Sequence, residues 1–173
     1  MLKGKTAVVT GGVRGIGKAI AKIFCENGAN VVLCYRSNDA EAEKTAAELG
    51  AFGTQVRVVK GDVADPETAK KVAELIKTDF DKKVDILVNN AGITNDKLMM
   101  RMDAEDFTKV INANLNGAFY MMKELSALMV KKRSGVIINM ASVSGLKGNP
   151  AQVNYSASKA GVVGMTLSAA KEL

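Results

Sequence analysis

The first 24 residues place a short buried strand, a glycine-rich turn and a helix in direct succession. The strand is Lys5–Thr10, the turn is Gly11–Gly17, and apolar residues recur with helical spacing over 19–24. A helix N-terminus leaves unpaired N–H groups, so it suits a pyrophosphate, and glycine lets the backbone approach that group closely. The stretch therefore predicts a nucleotide site, with a tight strand-to-helix turn that holds no ligand as the alternative.

The composition is that of an ordinary globular protein. Of 173 residues, 47% are hydrophobic and 24% are charged, so we predict one domain over 1–173. No apolar stretch is long enough to cross a membrane, and no signal peptide is recognisable, so we expect a cytoplasmic protein. The two cysteines, Cys25 and Cys34, are expected to be buried thiols in a reducing compartment.

Charge and residue usage narrow the function classes. The chain has no histidine, which excludes histidine-based acid, base or nucleophilic chemistry and histidine-ligated zinc. The net charge of +6 is scattered along the chain, and tryptophan is absent, so nucleic-acid stacking is not expected. The positive charge fits either a solvated surface or an acidic or phosphorylated partner. We expect no metal and no membrane contact.

Strands and helices alternate along the rest of the chain. Continuous rather than alternating apolarity in the strands is typical of a parallel sheet covered on both faces. The pattern predicts an α/β, doubly wound parallel sheet of the Rossmann type, with about five strands present. The predicted strands are 5–10, 30–35, 56–59, 85–88 and 135–140. The first predicted helix lies between Gly17 and Gly28, and a later one starts near Asp103 and leads into a long helical stretch over 107–130. The other predicted helices are 40–49, 65–80 and 155–173.

The end of the second strand predicts which dinucleotide binds. NAD-binding sheets usually place an acid about 20 residues beyond the glycine turn, where it holds the ribose 2′-hydroxyl. Here that place reads Arg36-Ser37, and the first acid is Asp39. Arg14 lies inside the glycine turn and is predicted to reach the same region. Two guanidinium groups and a hydroxyl suit a 2′-phosphate, so we predict NADP(H) over NAD(H).

The last predicted helix carries a candidate acid–base pair. Tyr155 and Lys159 are four residues apart and share one helix face. A phenol is a poor acid–base group at neutral pH, and a nearby ammonium favours its ionised form. Ser142, thirteen residues before Tyr155, follows the fifth predicted strand. A Tyr-x-x-x-Lys pair occurs by chance in many helices, so its position in a nucleotide-binding sheet carries the argument.

Together these motifs resemble the short-chain dehydrogenase/reductase family over nearly the whole chain. Within that family, the resemblance is greatest to the bacterial branch that reduces 3-oxoacyl thioesters of acyl carrier protein in fatty acid biosynthesis. The resemblance rests on Thr10-Gly11-x-x-x-Gly15-x-Gly17, Asp62, Asn89-Asn90-Ala91-Gly92-Ile93-Thr94-Asn95-Asp96, Asn114-Leu115, Ser142 and Asn154-Tyr155-Ser156-Ala157-Ser158-Lys159-Ala160-Gly161.

The resemblance implies roles for individual residues. Tyr155 would donate a proton to the substrate carbonyl, and Lys159 would favour its ionised form and hold the nicotinamide ribose. Ser142 would orient the carbonyl, with Ser144 as a less well-spaced alternative. Asn114 would kink its helix and anchor a water chain to Lys159. Asn112, two residues earlier, is the alternative candidate for this role. The expected cofactor residues are Gly11, Gly12, Arg14, Gly15, Ile16, Gly17, Arg36, Ser37, Asp62, Val63, Asn89, Ala91, Gly92, Tyr155 and Lys159.

The resemblance also sets expectations for the whole molecule. The family pattern continues with further strands and a substrate-covering helical segment, so we expect this chain, which stops inside the Tyr155 helix, to be a C-terminally truncated part of an enzyme. The family commonly forms tetramers through the two long helices, here 107–130 and 155–173. Two alternative functions stay open: a dehydrogenase of the same family for a sugar, steroid or small alcohol, and an NADP-binding subunit without turnover.

Overall fold

The computed structural model describes residues 1–173, and its elements alternate as the sequence predicts. A single 3₁₀ turn at Met99–Arg101 and a π-helical turn at Asn112–Asn116 add to the regular elements. The strands are β1 (Thr6–Thr10), β2 (Asn30–Tyr35), β3 (Val56–Lys60), β4 (Ile86–Asn89) and β5 (Val136–Asn139). The helices are α1 (Gly15–Glu26), α2 (Asp39–Gly50), α3 (Pro66–Asp79), α4 (Ala104–Ile111), α5 (Gly117–Lys132), α6 (Ser144–Lys147) and α7 (Val153–Glu172).

All five strands form one parallel sheet in the order β3-β2-β1-β4-β5. The chain builds outward from β1 to β3 and then returns to the other side of β1, which creates a switch point between β1 and β4. In sheets of this kind, ligands bind outside the carboxyl ends of the strands at that point. The predicted Rossmann-type fold is confirmed.

The core consists of two apolar layers, one on each face of the sheet. On one face Val8 packs in a cluster with Ile76 of α3 and Leu125 of α5. On the other face Val9 packs in a cluster with Leu49 of α2. Because β1 is fully buried, successive residues of this one strand serve opposite layers. Burial of each such side chain stabilises the fold by about 1.5–3 kcal/mol. The packing of β1 and its neighbours therefore fixes the strands whose ends form the site.

Several residues at helix ends have the hydrogen bonds and backbone conformations typical of those positions. The Asp65 side chain accepts a hydrogen bond from the N–H of Glu67 at 2.9 Å, and Pro66 occupies the first helical position of α3. Gly28 follows α1 with a φ of +85°, the left-handed conformation that ends many helices. Cys25 and Cys34 are both buried and free, as predicted. No helix of the protein is both long and apolar enough to cross a membrane.

Two predicted boundaries differ from the structure. The single long helix predicted over 107–130 is two helices, α4 and α5, joined by the π-helical turn. In that turn Asn116 donates to the side chain of Asn112 at 2.8 Å, whereas Asn114 points inward and is buried. The predicted loop over 142–154 contains the short helix α6. Both differences arise from contacts with distant segments, which helical periodicity does not register.

Candidate active site

The start of α1 is prepared for an anion. Arg14 precedes the helix in an extended conformation, and no side chain caps the first turn. That turn also contains no acidic residue. The first N–H groups of a helix have no partner within it, and its dipole is positive at this end. The N–H groups of Gly15, Ile16 and Gly17 are therefore available for a phosphate group.

The glycines of the turn are required by its geometry. Gly11 and Gly15 have φ values of +63° and +52°, which other residues rarely adopt. A Cβ added to Gly17 would lie 2.2 Å from the carbonyl oxygen of Gly11 and 2.7 Å from Nδ2 of Asn90. Helix α1 can begin this close to β1 only without a side chain at that position. The turn is thus a cradle that a Cβ would fill.

Thr10 ties this turn to the loop after β4. Its hydroxyl accepts hydrogen bonds from the N–H groups of Asn90 at 3.0 Å and Ala91 at 2.9 Å. The Asn90 side chain donates back to the carbonyl oxygens of Thr10 at 3.0 Å and Gly11 at 3.3 Å. These bonds close the switch point between β1 and β4. Sequence reasoning did not assign this role to Thr10; its signal was a hydroxyl at the end of a buried strand.

The switch point opens into a pocket of about 610 Å³. The pocket brings together segments that are far apart in the chain but lie at the carboxyl ends of β1 to β4. Sequence analysis did not predict Glu41 or Ile93, which also line it. Of the predicted cofactor residues, the lining contains Gly11, Arg14, Gly15, Ile16, Arg36, Ser37, Asp62, Val63, Ala91 and Gly92.

Five predicted cofactor residues lie outside this lining: Gly12, Gly17, Asn89, Tyr155 and Lys159. Gly12 packs so tightly that a Cβ would lie 2.8 Å from the Leu33 side chain, and Gly17 shapes the start of α1. The Asn89 side chain is buried in the sheet, where it donates to Oδ1 of Asn139 at 2.8 Å. Gly12, Gly17 and Asn89 fix the shape of the site, and Asn89 joins β4 to β5.

The acids near the end of β2 are paired with cations. The hydrogen bond from the Lys60 ammonium, 2.7 Å away, and a second from Tyr35 lower the pKa of the Asp39 carboxyl. The Asp62 carboxylate lies 3.9 Å from the Arg36 guanidinium. The carboxylate of Asp39, the first acid after β2, is thus already engaged by Lys60 at the end of β3 and Tyr35 at the end of β2.

Lys159 is buried close to Gly92, which lines the pocket. Its ammonium donates to the carbonyl oxygen of Met140, just beyond β5. Nζ lies 5.8 Å from the centre of the Tyr155 ring, within the range of a cation–π contact. Burial lowers the pKa of the Lys159 ammonium below its usual value. The predicted Tyr155–Lys159 pair is therefore together in space.

Asn114 connects the π-helical turn to both the pocket and α7. Its Oδ1 accepts from the N–H of Ile93 at 2.8 Å, and its Nδ2 donates to the Ile93 carbonyl at 3.0 Å and to Oγ of Ser158 at 3.1 Å. A Cβ on Gly92 would lie 3.1 Å from Oδ1 of Asn114 and 3.9 Å from Nζ of Lys159. The lining residue Gly92 is the place where these two side chains meet the pocket.

The hydroxyls of Ser142 and Ser144 are used differently. Oγ of Ser142 accepts from the N–H of Ser144 at 3.2 Å, so its own proton stays free. The Ser144 hydroxyl donates its proton to Oε1 of Gln152 at 3.1 Å. Gly145 holds this segment against α7, since a Cβ there would lie 2.7 Å from the backbone N of Ala160. Of the two serines, Ser142 is the one with a hydrogen left to donate.

A family comparison matches this arrangement. The sequence model of the family described as short chain dehydrogenase matches residues 5–173, which is almost all of the sequence. The chain belongs to the short chain dehydrogenase family. This dehydrogenase is therefore an oxidoreductase of hydroxyl and keto groups, and the family implies a nicotinamide cofactor. The glycine cradle and the uncapped start of α1 fit the pyrophosphate of such a dinucleotide.

Curated relatives of this short chain dehydrogenase are similar over almost its full length. A 3-oxoacyl-[acyl-carrier-protein] reductase of Synechocystis sp. is 48% identical over 99% of the chain and 69% of the relative. Proteins of the same name from Staphylococcus aureus and Haemophilus influenzae are each 44% identical. The alignment with the Staphylococcus aureus protein covers 98% of the chain and 68% of that relative. The alignment with the Haemophilus influenzae protein covers 99% of the chain and 69% of that relative.

Proposed function

We propose that this short chain dehydrogenase is an NADPH-dependent reductase of 3-oxoacyl-[acyl-carrier-protein] thioesters in fatty acid biosynthesis, with residues 1–173 as a single NADP-binding domain. The observation that carries the chemistry is the Tyr155–Lys159 pair, whose Lys159 ammonium lies near Gly92 of the dinucleotide pocket. The choice of substrate rests on three relatives of that name at 44–48% identity. The product is the 3-hydroxyacyl thioester.

The nicotinamide, when bound, supplies the hydride for the keto carbon. Ser142 then donates its free hydroxyl proton as a hydrogen bond to the keto oxygen and fixes its orientation. Tyr155 transfers a proton to that oxygen as the C–H bond forms, and Lys159 stabilises the phenolate that remains. Asn114 anchors the water chain through which Lys159 and Tyr155 regain the proton. Tyr155 and Lys159 act from α7, Asn114 from the π-helical turn and Ser142 from the loop that follows β5.

The assay that tests this function follows NADPH oxidation by absorbance with an acetoacetyl thioester as substrate. We expect kcat/KM for the thioester to exceed that for a simple sugar, a steroid ketone or a small ketone by at least tenfold. A reversed order would favour the alternative dehydrogenase function. NADPH binding without turnover of any carbonyl compound would favour a non-catalytic NADP-binding subunit.

The preference for NADPH gives a separate prediction. Arg14, Arg36 and Ser37 all line the pocket, and the Asp39 carboxylate is paired with Lys60. A charge-assisted hydrogen bond is worth about 1.5–3 kcal/mol, and solvent exposure reduces this for Arg36. We therefore expect Arg36→Ala to raise the dissociation constant of NADPH about tenfold and leave that of NADH unchanged, as measured by fluorescence titration.

The matched control for this measurement is Arg57→Ala. Arg57 is also a half-exposed arginine, but it pairs with Asp79 at 2.8 Å outside the pocket. It should leave both dissociation constants as they are. Equal weakening of NADPH and NADH by Arg36→Ala would contradict a role in holding the 2′-phosphate.

The partner and assembly follow from the same proposal. The net charge of +6 complements an acidic carrier protein. The apolar residues Phe119 on α5 and Leu167 on α7 are 48% and 63% exposed, which suits association of these helices into a homo-tetramer or dimer in the cytoplasm. Sedimentation equilibrium at micromolar concentration decides the assembly, and a monomer would contradict it.

A further inference from the structure

Asn154, next to Tyr155, has a fully buried side chain with an unusual set of partners. Its exposed fraction is 0%. Nδ2 donates to the backbone carbonyls of Asn95 at 2.9 Å and Asp106 at 3.3 Å, and Oδ1 accepts from the N–H of Tyr155 at 2.7 Å. Both amide hydrogens and one lone pair are thus used on backbone groups of three separate segments. A buried amide is costly unless it is satisfied in this way.

The segment that Asn154 reaches is itself fixed by Asp106. The Asp106 carboxylate accepts from Nδ2 of Asn95 at 2.6 Å and from the ammonium of Lys97. The bond from Lys97 lowers the pKa of Asp106 to about 2, so the carboxylate is ionised throughout the working range of an enzyme. The Lys97 N–H also donates to the carbonyl of Ala151 at 2.9 Å. The loop over 93–97 is therefore bound to the segment that leads into α7.

A second chain of bonds joins the same loop to Tyr155 from the interior. Asn114 holds Ile93 through both its N–H and its carbonyl, and Nδ2 of Asn114 donates to Oγ of Ser158. The Ser158 hydroxyl donates in turn to the carbonyl of Tyr155 at 2.7 Å. The N–H and the carbonyl of Tyr155 are thus each linked to the loop that contains Ile93, which lines the dinucleotide pocket.

We propose that Asn154 is a positioning residue of the reaction, which sets the place of the Tyr155 hydroxyl relative to a carbonyl in the pocket by joining the first turn of α7 to the loop over 93–97. This inference rests on the proposed reductase function. Its physical basis is that proton transfer requires the donor within hydrogen-bond reach of the carbonyl oxygen, and a displacement of about 1 Å can cost about 100-fold in rate.

The primary test replaces Asn154 by an apolar residue of similar size. We expect Asn154→Leu to lower kcat for the acetoacetyl thioester by about 10- to 100-fold, while the dissociation constant of NADPH changes less than twofold. Asn154→Asp keeps an acceptor for Tyr155 N–H but turns a carboxylate towards two carbonyls, so it should lose activity similarly. An Asn154→Asp enzyme with full kcat would show that the link to the loop is irrelevant and would overturn the proposal.

The matched control is Asn30→Leu. Asn30 also bonds a backbone group through its side chain, accepting from the N–H of Gln55 at 2.9 Å, but it lies at the opposite end of the sheet. Both leucine variants should lower the melting temperature, and only Asn154→Leu should lower kcat. Equal kcat in the two folded variants would reduce Asn154 to a structural amide and overturn the proposal.

A second variant tests the proposal if Asn154→Leu does not fold. Should Asn154→Leu fail to fold, Asp106→Asn weakens the loop side at a partly exposed position. A fall in kcat of fivefold or more with unchanged NADPH binding then supports the proposal, and an unchanged kcat overturns it.

If the wild type reduces no 3-oxoacyl thioester, the proposed function is wrong, but the role of Asn154 can still be tested. The measurement is then amide hydrogen exchange in Asn154→Leu. Faster exchange both at Tyr155 and over 93–97 supports the proposed link between α7 and the loop, and unchanged exchange at either place overturns it.

Discussion

Tyr155→Phe is expected to reduce turnover of the acetoacetyl thioester by about 10³-fold, since a positioned acid contributes about 10²–10⁴ to such a step. The substitution removes only the hydroxyl. The ring remains for the contact with Lys159, whose Nζ lies 5.8 Å from its centre. The pocket lining is unaffected, so NADPH should bind with an unchanged dissociation constant. The measurement is NADPH oxidation under saturating cofactor, with binding followed separately by fluorescence.

Tyr120→Phe is the matched control for this experiment. Tyr120 lies on α5, where its ring meets that of Phe119 edge-on at 5.8 Å between centres. Loss of its hydroxyl should leave kcat unchanged. If Tyr155→Phe kept more than a tenth of wild-type turnover, Tyr155 would not be the proton donor, and another acid would have to be sought around the pocket.

The fold could be predicted because its signals are local. Buried strands such as β2 are continuous apolar runs, and glycine spacing marks the turn before α1. The helix that carries Tyr155 and Lys159 places them on one face whatever it packs against. A parallel sheet then gathers its strand ends at one edge, so the arrangement of Arg14, Arg36 and Gly92 around one pocket follows from topology alone.

The remaining features depend on contacts between distant segments, and one sequence does not reveal them. The π-helical turn forms where Asn114 binds Ile93, 21 residues earlier in the chain. Asn89 looked like a pocket residue because it lies at a strand end, but its side chain faces Asn139 on the next strand. The direction of a side chain at a strand end depends on the register of that strand, and a register shift of one residue reverses it.

Gly17→Ala is expected to weaken NADPH binding about 100-fold and to lower the free energy of unfolding by about 1–3 kcal/mol, the usual cost of overpacking. The added methyl would lie 2.2 Å from the carbonyl oxygen of Gly11, so either the turn or the start of α1 must move. The atom it meets is backbone and cannot swing aside. Such a movement displaces the N–H groups that the pyrophosphate needs. Fluorescence titration with NADPH and thermal unfolding measure the two effects.

Gly164→Ala is the matched control for Gly17→Ala. It shows whether the weaker NADPH binding depends on the position of the glycine or follows from any glycine-to-alanine change. Gly164 lies inside α7, and a Cβ there would meet nothing within 4 Å. Because glycine costs about 0.5–1 kcal/mol relative to alanine in a helix, this variant should be more stable than wild type and bind NADPH normally. If Gly17→Ala also bound NADPH normally, the close approach of α1 to β1 would not be what forms the phosphate site. Arg14 and Arg36 would then have to supply most of the affinity through charge, and the binding would weaken steeply with salt.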